Sequence, residues 1–277
     1  MTAYLHHIQL GAINPASLAP FYERALGMKH HVLGENRHLF ASGDRRLLFA
    51  PGSSRHLDFA AYAFTASEDL RRVRRQFAAE AIEPSPSPIF GREAFAVRDP
   101  DGNVVVVGLA DDVVKETVVG PDASALARLQ HLVVASTQCE AMVQFYVERL
   151  GFSVSDRVYR DTDAAMMTCF LRSSEEHHSF AVFQAAKNAL DHHCYETPDW
   201  NAIRDWADRF AKLNIPLSWG PGRHGPGNNL FIFINDPDGN WLEFSTELEI
   251  VRPDRPVGTW PHAEKTLNLW GRAPLRG

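Results

Sequence analysis

Short apolar runs and helix-period stretches alternate along the chain in an order that occurs twice. In the second half, His131-Leu-Val-Val-Ala is short and β-branched, which predicts a strand. From Ala141 to Leu150 the apolar residues Met142, Phe145, Tyr146 and Leu150 fall at helical spacing, and Gly151 follows as a C-terminal stop. Thr168-Cys-Phe-Leu and Phe180-Ala-Val-Phe predict strands. Trp200 to Leu213 predicts a second helix, with Trp206 and Phe210 on one face. Leu230-Phe-Ile-Phe-Ile predicts a strand, Asp236-Pro-Asp-Gly a tight turn, and Trp241-Leu-Glu-Phe the returning strand. The first half repeats the scheme, with a helix over Ser67 to Ala79 and a hairpin from Glu93-Ala-Phe-Ala-Val to Val104-Val-Val-Val.

The two halves share landmarks as well as patterning, the mark of an internal repeat. His7, Phe21-Tyr22 and Leu26-Gly27 in the first half match His131, Phe145-Tyr146 and Leu150-Gly151 in the second, at equal spacings. Each half closes on the same turn, Asp99-Pro-Asp-Gly-Asn103 and Asp236-Pro-Asp-Gly-Asn240. The order predicts an α+β protein with one unit over residues 1–115 and another over 125–250. A linker falls near Asp111 to Ser124. Beyond Ile250 the chain turns Pro-rich and loses its periodicity, so residues 251–277 are expected to form a tail that packs back on the second unit through Thr266-Leu-Asn-Leu-Trp270.

Composition narrows the function classes. The 277 residues are 45% hydrophobic and 22% charged, enough to build cores and too apolar for a disordered chain. A net charge of −6 leaves no basic field for a phosphate backbone, so no nucleic-acid partner is expected. No run reaches the roughly 18 apolar residues of a membrane helix, and the start lacks the pattern of a secretory signal. Cys139, Cys169 and Cys194 form no disulfide or CxxC framework. A cytoplasmic location is expected, and symmetry base rates favour a homo-oligomer.

Aligning the halves isolates the chemistry. His7 falls against His131, Phe59 against His192, and Val106 against Glu243. The second half therefore offers two histidines and a carboxylate on three different strands. That set suits a divalent first-row metal and leaves coordination positions open for substrate and O2. A single histidine on an apolar strand is usually a packing or surface residue; three polar residues at duplicated landmarks, two of them apolar in the duplicate, are harder to explain without a ligand. His193 is the competing choice beside His192; strand alternation sends the two to opposite faces. Cys194 shares the His192 face, and a packing role suits a thiol better than ligation in a nitrogen and oxygen site. The Arg71-Arg-Val-Arg-Arg75 run reads as a solvated helix face, and Trp219, Trp241 and Trp270 as core residues before pocket walls.

The most specific stretch is Gly222-Arg-His224-Gly-Pro-Gly-Asn-Asn-Leu-Phe-Ile-Phe233-Ile-Asn-Asp236-Pro-Asp-Gly-Asn-Trp-Leu-Glu243. With His131, His192-x-x-x-Glu196 and Glu176-His-His178-Ser-Phe-Ala, it resembles the type I extradiol ring-cleaving dioxygenases of the vicinal oxygen chelate superfamily. The resemblance covers essentially the whole chain. It implies two tandem vicinal-oxygen-chelate domains, each of paired βαβββ modules in a curved, barrel-like sheet, the first free of metal and the second catalytic. It implies a metal on His131, His192 and Glu243, with Fe(II) favoured and Mn(II) the alternative. It sets His178 beside an O2 site and His224 beside the hydroxyls of an aromatic ortho-diol, with O2 as co-substrate and a semialdehyde-type product. Phe233 and Phe231 share a strand face and are expected to line the pocket with Trp219 and Cys194. One position departs from the family: Phe233 stands where the signature has tyrosine. Trp219 occupies the place, five before His224, where some members carry an arginine, which tilts the expectation toward apolar or polycyclic catechols. The rival readings are a related enzyme with another reaction, such as a glyoxalase-like isomerase, and a bleomycin-resistance-like binding protein.

Overall fold

The computed structural model describes residues 2–34, 36–117, 119–120 and 126–275. Positions 118 and 121–124 of the expected linker, and 276–277 of the tail, lie outside these. The first half runs β1 (Ala3–Ala12), α1 (Ala19–Leu26), β2 (Lys29–Leu33), β3 (Arg37–Ser42), β4 (Arg45–Pro51), β5 (Leu57–Phe64), α2 (Ser67–Gln76), β6 (Phe95–Arg98) and β7 (Val104–Leu109). The second runs β8 (Arg128–Ser136), α3 (Cys139–Gln144), β9 (Ser153–Tyr159), β10 (Met166–Arg172), β11 (Phe180–Gln184), β12 (Ala189–Glu196), α4 (Trp200–Lys212), β13 (Trp219–Arg223), β14 (Leu230–Asn235) and β15 (Trp241–Thr246). The tail adds β16 (Gly258–Pro261) and the short α5 (Glu264–Leu267).

The strand order is 2-3-4-1-5-7-6 in the first sheet and 13-14-15-12-8-11-10-9-16 in the second. Each sheet joins two modules through an antiparallel central pair, β1 with β5 and β8 with β12. Each central strand also pairs in parallel with the last strand of its own module, as β12 does with β15. Gly27 and Gly151 both take positive φ, 61° and 81°, the left-handed step that ends a helix and favours glycine. Two helices differ from expectation. The helix at Ser67 stops at Gln76, because Phe77 leaves helical geometry and turns fully into the core. The helix before Gly151 starts at Cys139, and its last turn, Phe145–Arg149, widens to π. That turn sends two successive rings inward, with Tyr146 stacked on Phe180 and Phe145 against Phe77.

The repeated landmarks meet each other across the halves. Tyr22 of the first half donates to Asp236 Oδ2 of the second at 2.8 Å, and Tyr146 of the second donates to Asp99 Oδ2 of the first at 3.4 Å. The helices cross over in the same way. Arg209 on α4 donates to the Ala25 carbonyl of α1, and Arg149 beyond α3 donates to the Gln76 carbonyl of α2. One apolar cluster accordingly spans both halves, from Leu5 and Tyr22 to Tyr146 and Phe244.

The concave faces of the two sheets differ. In the first, Ile89 and Phe90 pack onto Phe59, Ala61 and Val106 and fill the cup. In the second, the inward cluster is only Val133, Ala135, Ala181 and Phe183, and the space above it is open. The tail crosses this side. β16 extends the sheet beside β9, while Gly225 N–H donates to the Thr266 carbonyl and Leu269 N–H to the Arg223 carbonyl. Trp270, expected in the core, is instead half exposed.

The crossed tyrosines are expected to tie the halves together. Tyr22→Phe should destabilise by about 1 kcal/mol, the net value of one hydrogen bond with the ring retained. The denaturation midpoint reads the loss, and a Tyr22→Phe/Tyr146→Phe double variant should show the two losses adding.

Candidate metal centre

His131 lies on β8, His192 on β12 and Glu243 on β15, all facing the open cup. Cys194 pairs laterally with both His131 and Glu243, so these three occupy one level of the sheet; His192 sits one pleat further along. Glu243 Oε2 lies 3.1 Å from His131 Nε2 and 3.1 Å from His192 Nε2. All three side chains are buried. The same alignment in the first half, His7, Ala61 and Val106, has lost the carboxylate. His7 Nε2 there is bound to Ser87 Oγ at 2.7 Å.

Two bulges equip these histidines. Between β8 and β12 the register skips at Leu190/His192 and again at Cys194/Tyr195, which leaves Asp191 and Gln130 as unpaired extra residues. A bulge re-aims a side chain that alternation would send to the opposite face. Asp191 Oδ2 thus reaches Nδ1 of its own neighbour His192 at 2.7 Å, and Gln130 Oε1 reaches Nδ1 of His131 at 2.6 Å. Gln130 cannot be turned over, because its amide nitrogen donates to the His178 carbonyl at 2.6 Å, and a carbonyl only accepts. Both Nδ1 atoms therefore carry the proton, and both Nε2 atoms present a lone pair to Glu243.

Three lone pairs thus converge on one buried point, where a cation fits. Burial lowers the pKa of His131 against the pull of Glu243, so that ring is neutral. For His192 burial works the same way, but the carboxylates of Asp191 and Glu243 on either side of the ring outweigh it and raise the pKa. Burial would raise the Glu243 carboxyl; the facing histidines outweigh it and hold it well below the usual carboxylate range. A neutral imidazole, a second imidazole with a carboxylate behind it and an ionised carboxylate are the donors a divalent first-row metal takes. Cys194 Sγ lies within 4.8 Å of the His131 and Glu243 donor atoms. It is unsuited to the ion: burial pushes the thiol pKa up, and the Sγ hydrogen is directed at Ser245 Oγ, 3.1 Å away.

Above the donors the cavity is walled by Val133, Phe170, Ala181, Phe183, Trp219 and Phe233, with His178, His224 and the tail residues His262 and Leu267 completing it. No Lys or Arg lines it among the described residues. His224 donates Nδ1–H to the Leu267 carbonyl, which leaves Nε2 as an acceptor 3.5 Å from Glu243 Oε1. His178 packs on His131, with ring centroids 4.3 Å apart, and burial holds its pKa well below the usual value. Phe233 meets His192 edge-on at 5.1 Å.

Seven of the nine site residues expected from the sequence come together on this cavity, and two do not line it. Cys194 lies beneath the donors, because a residue level with His131 and Glu243 is covered by them. Phe231 sits behind His224, stacked on its ring at 4.0 Å, because the strand twists it away from the opening. His193 faces the other side of β12, fully buried against Tyr195. Sequence reasoning missed Gln130 and Asp191, whose only signal was a polar residue directly before each ligand histidine. It also missed Asn229, which donates to Glu243 Oε1 at 3.1 Å.

A pair of curved sheets, each made of two βαβββ-type modules, with a two-histidine, one-carboxylate cluster in one cup, defines a vicinal-oxygen-chelate protein. The chain belongs to the Glyoxalase/Bleomycin resistance protein/Dioxygenase superfamily, whose model matches residues 4–107 and 128–244. It is 26% identical over 227 residues to metapyrocatechase 2 of Cupriavidus necator, covering 73% of this chain and 68% of that one. It is 24% identical over 246 residues to an iron-dependent extradiol dioxygenase of Rhodococcus jostii (strain RHA1), covering 82% and 81%. Among solved structures, the Mn(II)-bound glyoxalase from Novosphingobium aromaticivorans superposes with a TM-score of 0.83 at 24% identity, over 97% of this chain and 90% of that one. Among the described residues no helix is long and apolar enough to cross a membrane.

Gln130→Leu removes the acceptor that fixes the His131 tautomer and is expected to weaken metal binding by about 10- to 100-fold, measured by competition with a chelator. Glu196, at the far end of β12, has its pKa raised by burial from 4.5 to about 7 despite Ser245 and the Leu248 N–H. The folded protein holds that proton while the unfolded chain releases it, so this group's contribution to stability falls as pH rises from about 4.5 to about 7. Glu196→Gln should flatten that slope in denaturant titrations.

Proposed function

We propose that this chain is an extradiol dioxygenase that opens the ring of an aromatic ortho-diol with O2. Fe(II) is the favoured metal and Mn(II) the alternative, held by His131, His192 and Glu243. The observation that carries the reading is the convergence of three lone pairs at the floor of an apolar cavity that has two further imidazoles on its walls. A bound metal supplies Lewis acidity toward the diol oxygens and electron transfer toward O2. The rest falls to the chain. His224 Nε2, fixed as an acceptor by Leu267, takes the hydrogen bond of a diol hydroxyl. His178, on the other wall, holds and moves the second proton. Trp219, Phe170 and Phe233 press the ring flat and exclude water. A wall without Lys or Arg suits an uncharged substituent, hence apolar or bicyclic catechols over carboxylated ones.

In this reading residues 1–115 are a metal-free scaffold domain, 125–250 the catalytic domain and 251–277 a tail that covers its cavity. Three buried, unpaired cysteines suit a reducing cytoplasm, and a homo-oligomer is the expected assembly. A second reading, a metal site serving another reaction, draws on Phe233, which brings no hydroxyl to the cavity.

Oxygen uptake by Fe(II)-loaded protein prepared anaerobically, with monocyclic and bicyclic catechols, tests the choice. Uptake with a yellow ring-fission product, abolished in His192→Ala, is the expected result. Tight metal binding with no uptake on any catechol favours the second reading.

A further inference from the structure

Behind His178 a chain of buried polar groups leads away from the cavity to the tail. Asp156, on β9, is fully buried and surrounded by donors. Arg255 Nη2 reaches its Oδ1 at 2.8 Å and Gly258 N–H at 3.1 Å; Trp260 Nε1 reaches Oδ2 at 2.7 Å. A side chain at position 258 would overlap Asp156 Oδ1, so glycine is what lets the tail backbone come this close. On the inner side His177, also fully buried, sets Nε2 3.1 Å from Asp156 Oδ2, at an ion-pair distance rather than in full hydrogen-bond alignment. His177 Nδ1 lies 3.0 Å from His178 Nδ1.

We propose that Asp156 and His177 are positioning residues that decide which nitrogen of His178 carries its proton. The inference rests on the reading that His178 serves the reaction. The steps follow from donor and acceptor inventory. A carboxylate tied to Arg255 only accepts, so it draws the His177 proton to Nε2. His177 Nδ1 is then a lone pair. Two ring nitrogens 3.0 Å apart share one proton, so His178 must supply it from Nδ1. That leaves His178 Nε2 unprotonated toward the cavity. His224 reaches the same state from the other wall through Leu267. The cavity thus presents two acceptors to a substrate class with two hydroxyl donors. The tail contributes to both: Arg255, Gly258 and Trp260 seat Asp156, and Leu267 seats His224.

The test is a long-range ¹H–¹⁵N correlation spectrum of the histidine rings in the full chain loaded with diamagnetic Zn(II), with His178→Gln assigning the His178 signals. The expected result is one His178 tautomer, protonated at Nδ1. Asp156→Asn offers an amide N–H in place of an acceptor and is expected to reverse the chain, moving the His178 proton to Nε2. His177→Phe keeps an aromatic ring beside Phe170 and is expected to release His178 into a mixture of tautomers. A His178 protonated at Nε2 in the unsubstituted chain overturns the proposal. So does a His178 spectrum unchanged in whichever variant folds. With a catechol the enzyme turns over, Asp156→Asn should lower kcat by at least about tenfold and leave KM within about threefold. The tautomer needs neither iron nor substrate, so failure of the dioxygenase reading shows in oxygen uptake alone and is separable from failure of this one.

Discussion

Three lone pairs aimed at one buried point form the constraint on which the second half depends. Left alone, two imidazole nitrogens at 3.1 Å from a carboxylate oxygen repel it or must take up a proton. Burying such a cluster is costly unless a cation joins it. The surrounding structure keeps the cluster from relaxing. Asp191 and Gln130 pin the far side of each histidine, and Asn229 holds the other carboxylate oxygen. None of the three can let go without leaving a buried polar atom unpaired. The site is thus built for its charge before the charge arrives, which is the condition for tight and geometrically selective metal binding.

The duplicate shows which parts of this arrangement belong to the fold and which to the chemistry. The first half keeps both bulges, with His6 and Asp58 as the extra residues in place of Gln130 and Asp191. It keeps a histidine on the central strand. It has replaced the carboxylate by Val106 and filled its cup with Ile89 and Phe90. The bulges therefore come with the central strand pair itself, and the half with the open cup exploits twist and re-aimed side chains that both halves possess. A filled cup and an open one also divide the work. The packed half supplies burial, and the crossed Tyr22–Asp236 and Tyr146–Asp99 bonds carry that order to the half that keeps a cavity.

The repeat, both helices of the second half, the turn at Asp236 and the three donor residues were all legible in the sequence, because each leaves a local mark: a period, a Gly stop, or a polar residue where the duplicate is apolar. The strands β2, β3, β9 and β13, at or next to the sheet edges, left weaker marks; their polar and apolar residues alternate over only a few positions, and pairing with a neighbour decides them. The bulges left no mark, since a period-two reading assumes the register that a bulge breaks. That is why Asp191 and Gln130 escaped notice although each stands next to a residue that did not. Asp156 and Arg255 escaped for a different reason. They are far apart in the chain and acquire meaning only when the tail lies beside β9.

Phe233 is the position where this chain departs from the pattern its resemblance implies, and its surroundings show what fills the place of the phenol. Its ring stands among Trp219, Trp241 and His192, at centroid distances of 5.1 to 5.5 Å, so its place in the wall is filled by packing. What is missing is one O–H donor. The polar side chains around the donors are the imidazoles of His178, His224 and His262 and the hydroxyls of Thr168 and Thr266, and His224 donates Nδ1–H to Leu267, which turns its Nε2 to the cavity as an acceptor. An acceptor suits a substrate that still carries its hydroxyl protons, whereas a tyrosine donor suits one that has lost them. On the proposed reading, stabilising the ionised diol therefore falls to the metal and to whatever proton His178 has taken up. The Asp156–His177 pair that the tail seats then bears on the reaction more directly than it would in a site that kept its tyrosine.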